Sequence, residues 1–282
     1  MYNPSVHLIA CGVVLAAICV SAAGVGLTPQ SATSLRVVSY NIKHGRGNDN
    51  AVDLMRTAGV LRTLAPDIVG LQEVDRIAER SGKVDEARVL GESLGLNHAF
   101  GRFMDFQGGA YGLAVLSRYP ITLARELRLP DGNEPRVALA VDVRLPDGRP
   151  LTIVNLHFDW VDDDGFRFAQ AQKLTEFLDA LTQPYILLGD FNDEPESRTL
   201  GLFTTRAAEA TKPRDNRLTF SSTKPVKEID FIFMAPRQAW TADEVRVIDE
   251  PVASDHRPLL AVLTLRNLGR AHPPIKPPKI IR

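Results

Sequence analysis

Several hydrophobic runs in this sequence end in short polar segments that carry carboxylate, amide or imidazole side chains. Ile229–Phe233 differs in placing an acid, Asp230, inside an apolar run. Side chains of these types bind hard divalent cations and phosphate oxygens. If the runs are neighbouring strands, we expect their polar ends to form one pocket that holds a divalent cation and acts on a phosphate. The segments are Ser39-Tyr40-Asn41, Leu71-Gln72-Glu73, Asn155-Leu156-His157, Gly189-Asp190-Phe191-Asn192 and Ser254-Asp255-His256.

The predicted metal ligands are Glu73, Asn41 and Asp255. Glu73 follows the apolar strand 68–71, where a carboxylate is costly unless it meets a cation or hydrogen-bond donors. Asn41 fits either as a neutral ligand or as a phosphate contact, and Asp255 is expected to face the metal. The alternatives are a strand-end cap or salt bridge for Glu73 and a turn former for Asn41.

The cysteine content restricts the type of metal. Both cysteines, Cys11 and Cys19, lie near the N-terminus, so the rest of the chain offers no thiolate ligand or nucleophile. Any metal must therefore be held by oxygen and nitrogen atoms, which favours Mg²⁺, Mn²⁺ or Ca²⁺ over structural zinc.

Asp190 and Asn192 form a candidate catalytic pair. They are two residues apart, so on an extended segment both side chains point to the same side. This spacing suits a pair that holds a phosphate oxygen and a water molecule. An Asx turn leaving the strand is the alternative interpretation.

A second candidate pair joins Asp230 to His256. An acid inside an apolar strand needs a partner, and a histidine that transfers protons needs a group that fixes its tautomer. The sequence leaves open whether Asp190 or His256 activates the water, and whether Asp230 only caps a backbone turn.

His157 and Tyr111 complete the set of candidate residues. A charged His157 would stabilise a phosphate oxygen or protonate a leaving group, whereas a structural role is the alternative. Tyr111, in Gly109-Ala110-Tyr111-Gly112, would offer a hydroxyl group to the phosphate or serve as a half-buried strand aromatic.

The hydrophobic pattern predicts an α/β protein in which strands outnumber helices. Two mixed sheets packed face to face, with helices on their outer faces, fit this interspersed order best. Helices are predicted over 53–64, 85–94 and 165–181. Strands are predicted over 35–40, 67–71, 98–104, 111–117, 121–129, 136–145, 151–157, 185–189, 227–234, 244–248 and 257–265.

The ends of the chain differ in composition from its body. The first 35 residues lack Lys, Arg, Asp and Glu, and an almost wholly apolar run covers 8–27. Residues 1–33 are therefore predicted to be a signal peptide or a membrane anchor, which makes the protein exported or membrane-anchored. The catalytic domain is predicted over 34–266, and a Pro-rich basic tail over 267–282.

Charge bears on the choice of partner. Five Lys and Arg follow Leu265 and the net charge of the chain is −1, so the remainder carries −6. An acidic body is a poor match for a long nucleic-acid groove, although a bound cation supplies positive charge locally. Nucleic acid and lipid or small phosphodiesters both remain candidate substrates.

Taken in order, the polar motifs resemble those of the endonuclease/exonuclease/phosphatase superfamily, which includes DNase I and bacterial sphingomyelinases. The resemblance covers Leu35 to Leu265 and also includes Tyr111–Arg118. It implies a DNase I-like four-layer α/β sandwich and Mg²⁺-dependent cleavage of a phosphoester. Separately, the protein is expected to be a monomer. A phosphomonoesterase and a non-catalytic phospho-ligand binding module are the alternatives. The residues to which it assigns metal and catalytic roles are Asn41, Glu73, Asp190, Asn192, Asp230, Asp255 and His256, and His157 matches the DNase I and sphingomyelinase branches.

Overall fold

A computed structural model describes Met1 and residues 32–266. Within this part the chain forms twelve strands and four α-helices. The helices are α1 (Leu54–Leu64), α2 (Glu86–Leu94), α3 (Gly165–Asp179) and α4 (Arg198–Thr204). The strands are β1 (Thr33–Asn41), β2 (Ile68–Arg76), β3 (Asn97–Phe106), β4 (Gly109–Ser117), β5 (Ile121–Arg128), β6 (Val137–Arg144), β7 (Pro150–His157), β8 (Tyr185–Asp190), β9 (Ala208–Glu209), β10 (Asp230–Ala235), β11 (Trp240–Val247) and β12 (Leu259–Leu265).

The strands form two six-stranded mixed sheets. The first sheet has the order β11-β12-β1-β2-β4-β3, and the second has the order β5-β6-β7-β8-β10-β9. Each sheet contains one parallel pair joined through a helix, namely β1 and β2 through α1, and β7 and β8 through α3. Because parallel strands run in the same direction, their carboxyl ends lie at the same edge of the sheet.

This topology gathers the polar strand ends. Asn41 is in register with Gln72 in the first sheet, and His157 is in register with Asp190 in the second. Asp230 lies opposite Asp190 on the antiparallel neighbour β10. The two edges meet, since the Asn41 side chain reaches Asp190.

Successive side chains along each strand point to opposite faces of the sheet, so the core is divided into one layer between the sheets and one layer under each pair of helices. Inner faces of the two sheets pack on each other, while their outer faces pack on α1 and α2 or on α3 and α4. The predicted four-layer α/β sandwich is therefore confirmed. Representative inner residues are Val37, Ile68, Val115, Val141, Ile153 and Leu188, and representative helix-layer contacts are Leu61, Leu90, Leu174 and Phe203.

A buried amide pair joins the two sheets directly beneath the polar edge. The Gln72 side chain donates to Asn155 Oδ1 over 2.7 Å, and Asn155 Nδ2 donates to the backbone oxygens of Leu71 and Ala114. Both amides are fully buried. Hydrogen bonds between buried groups are strong in a low-dielectric interior, so the bonds between Gln72 and Asn155 fix the alignment of the sheets, although Gln72 Oε1 itself has no hydrogen-bond partner among the described residues.

Several elements differ from the sequence-based prediction, among them β2, β11 and α4. Strand β2 was expected to end at Leu71 but continues to Arg76 through a bulge at Glu73, after which pairing resumes between Val74 and Gly112. Strand β11 begins at Trp240, four residues earlier than predicted. Helix α4 was not predicted; it is only 7 residues long and depends on a Ser197 cap.

The chain ends lie outside the described residues. The predicted signal or anchor segment is described only at Met1 and from residue 32, and the predicted tail after 266 is not described. Within residues 32–266, no helix combines the length and the hydropathy needed to cross a bilayer.

Candidate active site

The first sheet contributes Asn41 and Glu73. The β-bulge gives Glu73 a left-handed backbone with φ of 56° and breaks the alternation of β2, which turns this carboxylate into the cleft. Asn41 Nδ2 donates to Glu73 Oε1 over 3.0 Å and to Asp190 Oδ2 over 3.2 Å, while its oxygen accepts from the backbone of Lys43. The amide of Asn41 thus links two carboxylates and acts as a donor to both.

The second sheet contributes Asp190 and Asn192. The backbone nitrogen of Asn192 donates to Asp190 Oδ1 over 3.0 Å, which is the Asx turn considered from the sequence. Its side-chain amide donates to the backbone oxygen of Phe158. Asn192 lies in the cleft with φ of 51°, and these bonds make it a support for the Asp190 carboxylate.

Asp230 and His256 form the predicted pair. His256 Nδ1 lies 3.0 Å from Asp230 Oδ2, and its Nε2 lies 3.5 Å from Asp190 Oδ2. Burial lowers the pKa of His256, but the carboxylates of Asp230 and Asp190 outweigh this effect and raise it to about 10. His256 is therefore an imidazolium at neutral pH.

The Asp190 side chain contacts residues that follow or end strands of both sheets. Its Oδ2 lies 3.2 Å from Asn41 Nδ2, 3.4 Å from His157 Nε2 and 3.5 Å from His256 Nε2. Burial raises the pKa of Asp190 to about 7; the charge of His256 opposes this shift and Asp230 adds to it. A carboxylate with this pKa can accept a proton at neutral pH.

His157 differs from the charged histidine expected from the sequence. Burial lowers its pKa well below the usual range, and the positive charges of Arg136 and His256 add to the shift. The Arg136 guanidinium lies 3.2 Å from His157 Nδ1. His157 is therefore neutral in the folded protein.

Asp255 and Tyr111 lie at the walls of the cleft. Asp255 pairs with the ammonium group of Lys43 over 2.6 Å. Tyr111 is 8% exposed and packs edge-on against Phe103. Burial raises its pKa well above 10, and the nearby Glu73 charge adds to this, so its hydroxyl group stays protonated.

The charges in the cleft fit a divalent cation next to Glu73. Burial raises the pKa of Glu73, the Asn41 hydrogen bond opposes this, and the negative charge of Asp255 adds to it. Two neighbouring carboxylates are a suitable donor set for a hard cation. Ligand atoms of Asp190, Asp230 and His256 also lie within 4.8 Å of one another. That second group fits less well, because an imidazolium has no free lone pair for a metal.

The cleft has a volume of about 610 Å³ and is lined by most of the predicted residues. Seven of the nine candidates line it, while Asn41 and Asp230 lie behind in contact with them. Four basic residues of the lining, and the Lys43 that pairs with Asp255, were not predicted from the sequence. Of these, only Arg136 carries a usable signal, because it opens an apolar strand and so needs a buried partner. The four are Arg80, Arg136, Arg167 and Lys227.

Comparison with known proteins identifies the family. The Endonuclease/Exonuclease/phosphatase family profile matches residues 38–256. The chain therefore belongs to this family, whose members are phosphoesterases. The resemblance seen in the sequence motifs is confirmed.

The chain is also similar to individual proteins and solved structures. "Uncharacterized protein YbhP" of Escherichia coli K12 is 26% identical over 247 residues, which cover 82% of this chain and 97% of the relative. A family protein from Bacteroides thetaiotaomicron superposes with a TM-score of 0.70 at 20% identity, covering 84% of this chain and all of the other. The mannosyl-6-phosphatase Bt3783 from the same organism gives a TM-score of 0.66 at 20% identity, covering 81% and 99%. The two structural likenesses show the shared fold.

Proposed function

We propose that this protein is a metal-dependent phosphodiesterase in which water attacks phosphorus. The observation that carries the proposal is the position of Asp190 Oδ2, which faces three side-chain nitrogens at 3.2–3.5 Å on the cleft floor. A buried carboxylate held among donors is a positioned proton acceptor. Two of these donors, His157 and His256, also line the cleft in which a phosphate would bind.

The protonation states favour Asp190 over His256 as the base. The pKa of Asp190 is about 7, so a large fraction is ionised at neutral pH. His256 has a pKa of about 10 and already carries its proton. In the proposed reaction Asp190 takes a proton from water as the water oxygen bonds to phosphorus, and the P–O bond to the leaving group breaks, its electron pair going to the leaving oxygen, which takes a proton from solvent. His256 donates a hydrogen bond from Nε2 to a phosphoryl oxygen, and Asp230 holds its Nδ1.

Glu73 and Asp255 are the residues that would hold the cation. When bound, Mg²⁺, Mn²⁺ or Ca²⁺ would neutralise negative charge on the phosphoryl group. The Asn41 amide would hold the carboxylates of Glu73 and Asp190 in place through its two hydrogen bonds. Asp255 would bind both the cation and the ammonium group of Lys43.

The assay that tests this proposal compares a diester with a monoester. We expect bis-p-nitrophenyl phosphate to be hydrolysed with Mg²⁺, Mn²⁺ or Ca²⁺ and not with EDTA. p-Nitrophenyl phosphate is the parallel substrate, since one structural relative is a mannosyl-6-phosphatase. Activity on the monoester alone would make the protein a phosphomonoesterase. Diester hydrolysis that survives chelation would refute metal dependence, and saturable binding without product would indicate a binding module.

Metal binding can also be measured without turnover. We expect Mg²⁺ or Mn²⁺ to raise the Tm of the wild type, because a ligand of the folded state stabilises it by mass action. Glu73→Gln should weaken this shift. Glu92→Gln is the matched control, because the Glu92 side chain is 63% exposed on α2 and pairs with Arg88 away from the cleft.

A further inference from the structure

Arg136 is an almost completely buried arginine beside the catalytic cluster. It precedes β6, is 1% exposed, and places its guanidinium 5.0 Å from the ring centroid of Phe103. Nη2 lies 3.1 Å from Glu134 Oε2, and Nη1 lies 3.2 Å from His157 Nδ1. Burying a charged guanidinium is costly unless it is paired and hydrogen-bonded, so the contacts with Glu134 and His157 are what stabilise it in this position.

The contact with His157 restricts the imidazole to one form. A guanidinium has only donors, so the ring nitrogen that faces it must offer a lone pair. His157 Nδ1 therefore carries no proton. In a neutral imidazole the proton is then on Nε2, the atom that faces Asp190 Oδ2 at 3.4 Å.

We infer that Arg136 is a positioning residue that fixes His157 as the neutral tautomer protonated on Nε2. His157 then acts as a hydrogen-bond donor toward Asp190 and the reacting phosphate, and not as a proton-donating imidazolium. The part of this inference that concerns turnover rests on the proposed function. The tautomer itself does not.

The loop before Arg136 is tied to the strand that carries His157. Asp159, two residues after His157, accepts from the backbone nitrogens of Asn133 and Glu134 over 2.6 and 3.3 Å. Asp159 is fully buried. A Cβ atom on Gly132 would lie 2.3 Å from Asp159 Oδ2, so the loop needs glycine to approach this anchor. The end of β7 thus fixes both the histidine and the loop that brings the arginine to it.

A purely structural role for Arg136 makes a different prediction. If the side chain only filled space against Phe103, its loss would lower stability and leave the protonated nitrogen of His157 unchanged. A positioning role requires the tautomer to change when the guanidinium is removed. The protonation site of the ring therefore separates the two roles.

The first experiment reads this site in the wild-type protein. Nitrogen NMR of ¹⁵N-histidine-labelled protein at neutral pH distinguishes protonated from unprotonated ring nitrogens, and His157→Gln assigns the signals. We expect Nε2 to be protonated and Nδ1 to be unprotonated. A proton on Nδ1, alone or on both nitrogens, would overturn the inference. This reading holds even if no phosphoester is hydrolysed, which separates its failure from that of the proposed function.

The second experiment removes the guanidinium. Arg136→Met should give a tautomer mixture at His157 and lower kcat about 100-fold, as loss of a preorganised donor does, with KM changed much less. Arg136→Lys keeps a donor and should restore part of the rate. Arg88→Met is the matched control, since the Arg88 side chain is 49% exposed and pairs with Glu92 on α2, away from the cleft.

Two outcomes of the second experiment would contradict the positioning role. One is a folded Arg136→Met protein with wild-type kcat, and the other is an unchanged His157 spectrum in that variant. If Arg136→Met does not fold, Arg136→Lys and the wild-type spectrum decide the question.

Discussion

At the scale of single residues, the site depends on which groups carry protons. His157 and His256 both face Oδ2 of Asp190, yet the surroundings of these three side chains differ. Two carboxylates keep His256 charged, burial and the charge of Arg136 keep His157 neutral by lowering its pKa, and burial brings the pKa of Asp190 to about 7. Burial, neighbouring charge and hydrogen bonding thus make Asp190 a base, His157 a neutral hydrogen-bond donor and His256 a charged donor.

The pairing of Asp230 with His256 predicts a specific pH dependence. The rate should rise as Asp190 ionises near pH 7 and fall as His256 loses its proton near pH 10. Because Asp190 and His256 interact, the two pKa values describe the titration of Asp190 and His256 together and not of either residue alone. Asp230→Asn removes a negative charge that raises the His256 pKa, so the alkaline limb should move down toward 6.5.

The measurement is the pH profile of kcat/KM for the wild type and Asp230→Asn. At neutral pH we expect the variant to lose a factor of about 100 or more, because His256 also loses its orienting acceptor. Wild-type turnover with an unchanged profile would show that Asp230 is a structural acid only.

At the scale of elements, the buried amide pair between the sheets is the feature that aligns the two halves of the site. Asn155→Ala removes donors to the backbone oxygens of Leu71 and Ala114 and the acceptor for Gln72. Leaving buried polar groups unpaired costs about 1–3 kcal/mol each. Gln72 keeps Ser39 and Gly70 as other acceptors. Two backbone oxygens lose a donor, so we expect the free energy of unfolding to fall by roughly 2–6 kcal/mol in denaturant titrations.

Asn97 provides the matched control. Its side chain also donates to two backbone oxygens, those of Ser117 and Tyr119, but Asn97 is exposed at the sheet edge. Because water can replace these bonds, Asn97→Ala should cost less than about 1 kcal/mol. Equal costs for the two variants would mean that the inter-sheet pair has no special role.

The sequence predicts the strand ends well because each ends in a recognisable motif after an apolar run. Asn41, Glu73 and His157 could be placed at one edge from periodicity and the rule for parallel strands. The bulge at Glu73 could not, because it depends on pairing with β4. The partners of Lys43 and Arg136 lie 212 and 21 residues away, so the local pattern can mark Arg136 as buried but cannot identify either partner.

At the scale of the whole molecule, charge bears most on the substrate. The chain before residue 266 is acidic, yet the cleft is lined by four basic side chains. Of these, Arg80, Arg136 and Arg167 pair with Asp75, Glu134 and Asp193. Basic side chains that are already paired with acids suit a small phosphoester headgroup better than a long polyanion, because binding a polyanion needs many unpaired positive charges.

A substrate panel tests this expectation. Plasmid DNA, RNA and phospholipid vesicles should be compared with small diesters at two salt concentrations. We expect small or lipid phosphodiesters to be turned over faster, with little dependence on salt. Brisk plasmid nicking that weakens steeply with salt, without any lipid product, would instead assign the protein to nucleic acid.

The most direct test of the proposed chemistry is the turnover of Asp190→Asn with bis-p-nitrophenyl phosphate and Mg²⁺ at neutral pH. The substitution keeps the shape of the side chain but removes the proton acceptor. Asp131→Asn is the control, because that acid is 83% exposed and pairs only with Arg128 among the described residues. We expect kcat to fall by roughly 10²- to 10⁴-fold in Asp190→Asn and to be unchanged in Asp131→Asn. Asp190→Asn retaining the kcat of the wild type would contradict the role of Asp190 as the base.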